Sequence, residues 1–158
     1  MSVIGASAAM TGCGSDSDSS DPAPEAVACA TVGLDEGQTL EVNGVDLPLC
    51  ELRDNIAQDV TLTSDYVYRL NGYITVGSGH GELELDTEAE KTAIQDAGVT
   101  LTVEPGTHFR SSGRGSLIIS RGSEIVANGT ATAPIVMSSY DAGYTGQGEW
   151  GGLVLQGF

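Results

Sequence analysis

The sequence contains few basic residues: 6 Lys and Arg stand against 22 Asp and Glu, which gives a net charge of −16. Affinity for nucleic acids depends mainly on Lys and Arg that neutralise phosphates, so this balance argues against a nucleic-acid partner. It also provides no basic patch for anionic lipids. An acidic surface is typical of soluble secreted proteins, and weak binding of divalent cations stays open as an alternative.

Long apolar runs and aromatic residues are also scarce. No stretch approaches the roughly 20 consecutive apolar residues that span a membrane, so the sequence predicts no transmembrane segment. Phe, Trp and Tyr make up 5% of the 158 residues, whereas glycine occurs 22 times. This composition disfavours an all-α fold and suits a chain with many tight turns. The length is sufficient for one domain with its own core.

Short β-branched runs between glycine-containing turns dominate Val99–Ser139. The turns contain Pro-Gly, Gly-Arg-Gly, Arg-Gly-Ser and Asn-Gly-Thr, and each run between them has three to five apolar or alternating residues. The spacing is too short for helices between the strands. The pattern predicts an all-β solenoid, a parallel β-helix in which each turn of the chain stacks on the one before.

We predict that the stacked coils occupy residues 64–158. Their strands are expected at Tyr66–Leu70, Tyr73–Val76, Val99–Val103, His108–Arg110, Ser116–Ser120, Glu124–Ala127, Ile135–Ser138 and Trp150–Leu155. The residues of Glu104–Thr107 predict a type II turn, with Pro second and Gly third. Asp86–Ile94 has helix-forming residues after an Asp or Thr cap candidate, which predicts one or two helical turns.

Alternate side chains of a strand point to opposite faces, which defines a candidate core. One consistent inward set contains Leu117, Ile119, Ile125, Ala127, Ile135 and Met137, although a register slip would select another set. Glu104 and Glu124 are expected to be solvated. Two carboxylates that meet across coils, as glycosidases require, stay open as an alternative.

The first 28 residues have the pattern of an export signal followed by a linker. Ser2–Met10 is small and apolar, and Met10-Thr11-Gly12-Cys13 resembles the lipobox of bacterial lipoproteins, in which the cysteine becomes the lipidated first residue. No Lys or Arg precedes Arg53, so we expect the natural start to lie upstream. We assign residues 1–13 to the signal peptide and 14–28 to a disordered acidic tether. An incidental cysteine in a disordered N-terminus is the alternative.

Three cysteines are present: Cys13, Cys29 and Cys50. If Cys13 carries lipid, an even pair is left, as expected of an exported chain. A bridge between Cys29 and Cys50 would stabilise the fold by roughly 3 kcal/mol. Two buried free thiols are the alternative, and no nearby His supports a zinc site.

Residues 29–63 are predicted to form a small cap on the first coil, closed by this bridge. Thr39–Val42 alternates and is followed by Asn43-Gly44 and Val45–Leu47, which together predict a tight hairpin. A solenoid end exposes apolar interior and unpaired strand edges, so a covering element is expected there.

Three segments resemble a family of bacterial right-handed parallel β-helix lipoproteins of the pectin-lyase-like superfold. They are LTVEPGT (Leu101–Thr107), LIISRGSEIVANGTATAPIVMSS (Leu117–Ser139) and EWGGLVLQGF (Glu149–Phe158). The resemblance implies a right-handed solenoid in the cell envelope of a Gram-negative bacterium, anchored by lipid to the outer membrane. It also implies that the chain is the N-terminal piece of a longer protein. The superfold hosts lyases, glycosidases, adhesins and tailspikes, so the fold alone does not define an activity.

The candidate ligand loop contains Tyr140, Asp141, Tyr144, Glu149 and Trp150. Aromatic rings on a loop stack on sugars or anchor a partner, although Trp150 is expected mainly to seal the edge of the coil. Asp141 and Glu149 are weak candidates for a Ca²⁺ site with backbone carbonyls. No other metal site, no cofactor and no catalytic residue is predicted.

The two histidines, His80 and His108, have no neighbouring ligands in the sequence and are expected to be structural or exposed. The function that we expect is therefore a non-enzymatic envelope lipoprotein whose β-helix surface binds a ligand, a polysaccharide or an envelope protein. The alternative is a polysaccharide-active enzyme with catalytic residues beyond Phe158. A purely structural rod is a third hypothesis.

Overall fold

A computed structural model of the protein describes residues 29–53, 55–78, 87–141 and 150–158. The predicted signal and tether, with Cys13, therefore lie outside the described residues, as do His80, Tyr144 and Glu149. The described residues are mostly β-structure. In chain order the elements are α1 (Cys29–Val32), β1 (Gly33–Val42), β2 (Val45–Leu52), β3 (Asn55–Ile56), β4 (Val60–Leu62), β5 (Val67–Val76), α2 (Glu88–Asp96), β6 (Thr100–Val103), β7 (His108–Ile119), β8 (Glu124–Ala127), β9 (Val136–Ser139) and β10 (Gly152–Leu155).

The predicted hairpin and disulfide are both confirmed. β1 and β2 pair antiparallel up to Val42 and Val45, and the two residues between them, Asn43 and Gly44, have φ angles of 51° and 84°. Positive φ at both central positions is the geometry of the tight turn that Asn-Gly favours. Cys29 and Cys50 are joined by a disulfide, which ties α1 to β2 and excludes the alternative of free thiols.

The other strands pair in parallel and in register. The larger sheet has the order β1-β2-β5-β7-β10, with β3 paired to β5 and β9 paired to β7. The second sheet has the order β4-β6-β8. Because pairing joins strands that are far apart in sequence, residues from successive passes of the chain align in columns. One such column contains Cys50, Tyr68, Phe109 and Met137.

Parallel pairing begins earlier in the chain than the boundary that we placed at residue 64. Leu49–Leu52 of β2 already pairs with Val67–Leu70, and Val60–Leu62 pairs with Leu101–Val103. These early segments are short and carry polar residues beside their apolar ones, so their pattern does not reveal the partner strand. The segment assigned to the cap therefore contributes both the hairpin and a first set of parallel strands.

Tight turns separate the strands of each pass. At the predicted type II turn, the N–H of Thr107 donates to the carbonyl of Glu104 at 3.3 Å, and Gly106 has a φ of 83°. A residue with a side chain is strained at this φ, so the turn requires glycine. The bend predicted at Ser112-Gly113 occurs within β7, where Gly113 and Arg114 both have positive φ.

The predicted helix is also confirmed. Thr87 caps α2, its hydroxyl accepts from the N–H of Glu90, and Glu90 accepts in return from the N–H of Thr87. This reciprocal pair is a capping box, which stabilises the first turn. No residue of α2 is buried, so the helix lies outside the core. Within the described segments, no helix has the length and apolar character needed to cross a membrane.

The core lies between the two sheets, and its side chains belong to columns of paired positions on successive strands. Tyr68 and Phe109 pack with ring centroids 5.8 Å apart, and both are fully buried. The hydroxyl of Tyr68 accepts from the N–H of Thr63 at 3.1 Å, and burial raises the pKa of Tyr68 to about 12. Each such large apolar side chain contributes about 1.5–3 kcal/mol of transfer free energy when buried.

Most of the predicted inward set is buried or half-buried, but Ala127 is not. Leu117 and Ile119 are buried, and three half-buried residues pack against the core: Ile125, Ile135 and Met137. Ala127 is exposed. It pairs with Val103 on one side, and among the described strands none pairs with β8 on the other side.

Candidate functional site

A row of polar side chains follows the outer surface of the larger sheet. Glu51, Arg69, Arg110 and Ser138 occupy directly paired positions on β2, β5, β7 and β9. They alternate with the column that contains Tyr68 and Phe109, so they project from the opposite face of the sheet. We call these four residues the outer row.

Arg69 is surrounded by partners. Its guanidinium lies 3.4 Å from Glu36 and 3.4 Å from Glu51, and Nε donates to the hydroxyl of Ser112 at 3.2 Å. The same guanidinium lies 4.7 Å from the ring centroid of Tyr140, which is a cation–π contact. The positive charge of Arg69 is therefore compensated within the protein.

Arg110 has a different environment although it is the neighbour of Arg69 in the outer row. It is half-buried and donates a hydrogen bond to the hydroxyl of Ser138. In the described part of the chain, no carboxylate forms a salt bridge with it. Burial lowers the pKa of Arg110, because desolvation disfavours the charged guanidinium.

His108 lies next to Arg110 on the same face of β7. It is 9% exposed and pairs in register with Val67 and Val136. Burial, and secondarily the charge of Arg110, lowers the pKa of His108. Its Nδ1 atom has no hydrogen-bond partner among the described residues. Burial therefore disfavours the charged form of the imidazole, and the prediction that His108 is structural agrees with this burial.

A groove of about 450 Å³ lies between the tip of the hairpin and this end of the outer row. Its lining contains a guanidinium, two carboxylates, two serine hydroxyls, one aromatic ring and one apolar side chain. These residues are Leu40, Glu41, Arg110, Ser138, Ser139, Tyr140 and Asp141. A smaller depression of about 180 Å³ shares Ser139, Tyr140 and Asp141 with it, so the two form one continuous surface.

The hairpin supplies one wall of this groove because it covers apolar residues of the outer face. Val42, Leu49 and Val67 form a second buried cluster, separate from the main core. Leu40 and Tyr140 pack against this cluster from the side. Tyr140 therefore has one edge fixed by apolar contacts and by Arg69, while its half-exposed ring borders the groove.

The described residues of the candidate ligand loop lie at two different places in the structure. Tyr140 and Asp141 both line the groove, and the N–H of Asp141 donates to the hydroxyl of Ser139 at 3.0 Å. Trp150 does not line it; this residue is half-buried and packs against the main core, as expected of a sealing residue. A role for the loop in ligand binding stays a prediction.

The other candidate residues lie apart from the groove. Glu124 begins β8 and is exposed, as predicted, whereas Glu104 is half-buried at its turn. In the ranges that the structure describes, no group of three His, Cys, Asp or Glu residues is placed to hold a metal ion. The candidate Ca²⁺ pair cannot be assembled from the described residues, because Glu149 lies outside them.

Sequence reasoning missed Arg110, Ser138 and the contribution of the hairpin. A signal for Arg110 was nevertheless present, because YRLNG (Tyr68–Gly72) and FRSSG (Phe109–Gly113) share an aromatic residue, Arg and Gly at the same spacing. The two segments pair in register from the aromatic residue to the fourth position. The short repeat therefore places two arginines side by side.

Comparison with known proteins gives a match over the C-terminal part of the chain. Residues 82–158 match the family model described as a pectate-lyase like beta helix domain. This match confirms the resemblance to the pectin-lyase-like β-helix family that the sequence motifs indicated. Neither the curated proteins nor the solved structures contain a match to this chain.

Proposed function

We propose that the protein is a non-enzymatic lipoprotein of the bacterial cell envelope that binds a polysaccharide or an envelope protein on the outer surface of its stacked strands. The observation that carries this proposal is the groove, which combines hydroxyls, carboxylates, a guanidinium and an aromatic ring within one concave surface. Pockets that bind small ligands have such a mixture of an apolar wall and a few convergent polar groups.

We infer that the stacked passes are coils of a right-handed parallel β-helix. The parallel, in-register pairing of β2, β5, β7 and β9 supports this architecture, as does the match to the family. Parallel connections within a sheet are right-handed in nearly all proteins. A crystal structure would test the inference, and an antiparallel arrangement of β5 and β7 would contradict it.

The lipid anchor at Cys13 rests on the sequence Met10-Thr11-Gly12-Cys13 alone. We expect incorporation of a palmitate analogue when the protein is expressed with an upstream start in a Gram-negative host. Cys13→Ser should abolish the label and move the protein from the membrane fraction to the soluble fraction. Equal labelling of both forms would contradict the anchor.

Binding to the groove is testable with the chain itself. We expect the 158-residue protein to bind at least one member of a panel of immobilised bacterial and plant polysaccharides. Tyr140→Ala should weaken this binding because Tyr140 borders the groove. Tyr73→Ala is the matched control, since Tyr73 is 74% exposed and lies outside the groove. Equal loss in both variants would contradict a site at the groove.

A polysaccharide-active enzyme is the second candidate, and the description of the matched family as pectate-lyase like favours it. The two functions differ in whether the protein cleaves the polysaccharide that it binds. We expect no new reducing ends or unsaturated products when the protein is incubated with the polysaccharide that it binds. Appearance of either product, in proportion to the protein concentration, would replace the binding function with the enzymatic one.

A further inference from the structure

We propose that Arg110 is an anion-binding residue and that the groove takes a saccharide carrying a single oxyanion, either a carboxylate or a sulfate ester, on an otherwise neutral sugar. The inference rests on the proposed binding function and names the ligand class of the same groove. The observation that supports it is the different environment of Arg69 and Arg110, two neighbouring arginines of the outer row.

Arg69 and Arg110 are directly paired on adjacent parallel strands. Like charges at such positions repel each other, and a nearby anion offsets this repulsion. Arg69 has two, Glu36 and Glu51. Arg110 has none in the described part of the chain, and its hydrogen-bond partner is the neutral hydroxyl of Ser138. In a protein with 22 acidic residues and 6 basic ones, a half-buried guanidinium that forms no salt bridge with a described carboxylate is a candidate anion-binding residue.

The geometry of a guanidinium defines the group that it binds. Its planar N–H donors match the two oxygens of a carboxylate or two oxygens of a sulfate. Ser138 and Ser139 add hydroxyls at the same place, and both line the groove. One oxyanion can therefore receive charge-assisted hydrogen bonds from Arg110 together with hydrogen bonds from serine.

The remaining lining residues favour a sugar as the carrier of this anion. The ring of Tyr140 offers an apolar surface of the kind on which sugar rings stack. Glu41 and Asp141 lie at the same groove and can accept hydrogen bonds from sugar hydroxyls. The volume of about 450 Å³ falls within the range of roughly 300–1,000 Å³ that is usual for small-ligand pockets.

The same carboxylates limit the charge of the ligand. A second anionic group placed beside Glu41 or Asp141 would be repelled, and the net charge of −16 repels any extended polyanion. The groove therefore favours one negative group, positioned at Arg110, over a chain of negative groups. A polymer charged on every residue is accordingly expected to be a poor ligand.

The test is calorimetric titration of the full chain with five probes: a neutral disaccharide, the same disaccharide with one uronate carboxylate, the same disaccharide with one sulfate ester, inorganic sulfate, and a homopolyuronate. We expect one of the two singly charged disaccharides to bind at least tenfold more tightly than the neutral one. Comparison of these two probes identifies the oxyanion. Binding should weaken as NaCl is raised, because the contact is electrostatic.

Substitutions test whether Arg110 makes the contact with the oxyanion. Arg110→Gln should reduce affinity for the charged disaccharide at least tenfold, and Arg110→Lys should retain part of it because the charge remains but the planar fork is lost. Arg53→Gln is the matched control, since it makes the same change in net charge at an exposed residue outside the groove. Thermal unfolding of each variant checks the fold, and Ser138→Ala with Tyr140→Leu provides a second set of changes in the same groove.

Two outcomes overturn this inference and leave the proposed function intact. One is binding of a polysaccharide that Arg110→Gln does not weaken, and the other is tighter binding of the homopolyuronate or of inorganic sulfate than of the singly charged disaccharides. If the unmodified protein binds neither these probes nor any polysaccharide of the panel, the inference and polysaccharide binding both fail.

Discussion

Arg69 and Arg110 are adjacent in the outer row, yet one guanidinium contacts two carboxylates and an aromatic ring while the other contacts a serine hydroxyl. The two arginines therefore have different roles although their side chains are identical. Arg69 links β5 to both strands of the hairpin, since Glu36 belongs to β1 and Glu51 to β2. Arg110 adds a partly desolvated charge that forms no salt bridge with any described carboxylate. This difference leads to opposite expectations for stability.

We expect Arg69→Met to lower the free energy of unfolding by about 1–2 kcal/mol. The change removes two partly buried ion pairs and a cation–π contact, each worth up to about 1 kcal/mol, and keeps the aliphatic stem. Urea unfolding measures the difference. Lys91→Met is the control, because its pair with Glu88 lies on the exposed surface of α2 and should contribute less than about 0.5 kcal/mol.

Arg110→Met is expected to leave the free energy of unfolding unchanged within about 0.5 kcal/mol, or to raise it by up to about 1 kcal/mol. Removal of one of two directly paired like charges relieves repulsion, and the methionine retains the packing of the stem. The same urea titration applies. A loss of stability comparable to that of Arg69→Met would show that Arg110 has a structural partner, and it would contradict the assignment of an anion site.

Loss of the disulfide should destabilise the N-terminal part of the protein. Cys29 and Cys50 are separated by 21 residues, and closure of such a loop is worth about 3 kcal/mol in the chain-entropy estimate. We expect the double variant Cys29→Ser with Cys50→Ser to unfold at a lower urea concentration, and reductant should shift the unmodified protein to the same midpoint. A midpoint insensitive to reductant would contradict a structural role for the bond.

Core truncation should be far more costly than surface truncation of similar size. Phe109→Ala removes a fully buried ring that packs on Tyr68, and we expect a loss of about 3–5 kcal/mol. Tyr73→Ala removes a ring that is 74% exposed and should cost less than about 1 kcal/mol. Similar losses for both would mean that the column containing Tyr68 and Phe109 is not the centre of the core.

His108 should make stability depend on pH in the weakly acidic range. Because its pKa in the folded protein is lowered, the unfolded chain takes up this proton first as the pH falls. The contribution of His108 is therefore fully present above about pH 6.5, the ordinary histidine value, and is lost as the pH falls through the lower folded pKa.

The measurement is the urea midpoint of the protein and of His108→Leu between pH 7.5 and pH 5. We expect the midpoint of the unmodified protein to fall more steeply over this range than that of the variant, because the leucine cannot be protonated. Carboxylates titrate in both proteins and cancel in the comparison. Parallel curves would contradict the burial of an uncharged imidazole.

Local sequence patterns predicted several strands and turns but not β3 or β4, and they divided β5 and β7 into two strands each. Glu124–Ala127 forms a strand with the predicted bounds, and the turn predicted at Glu104–Thr107 is present, with a hydrogen bond from the N–H of Thr107 to the carbonyl of Glu104. Alternation of apolar residues and the chemistry of Gly, Pro and Asn act over a few residues, so they can be read directly. Ala127 pairs with buried Val103 yet is exposed, because its burial depends on a neighbouring strand rather than on its own segment.

The groove could be predicted only in part. Tyr140 and Asp141 were recognised because aromatic and acidic residues in a glycine-rich loop are conspicuous. Arg110 was not, since its significance depends on Arg69, a residue of a different pass that pairs with it across the sheet. The side of the groove formed by Leu40 and Glu41 depends on where the hairpin folds, which no local pattern specifies.

α2 shows where this architecture accepts added sequence. The helix lies between β5 and β6, and none of its residues is buried, yet β4, β6 and β8 keep an unbroken register around it. The helix is therefore accommodated between two strands without a change in the alignment of the smaller sheet. We expect this connection to accept a foreign epitope or binding peptide in place of the helix, with the paired strands serving as the display scaffold.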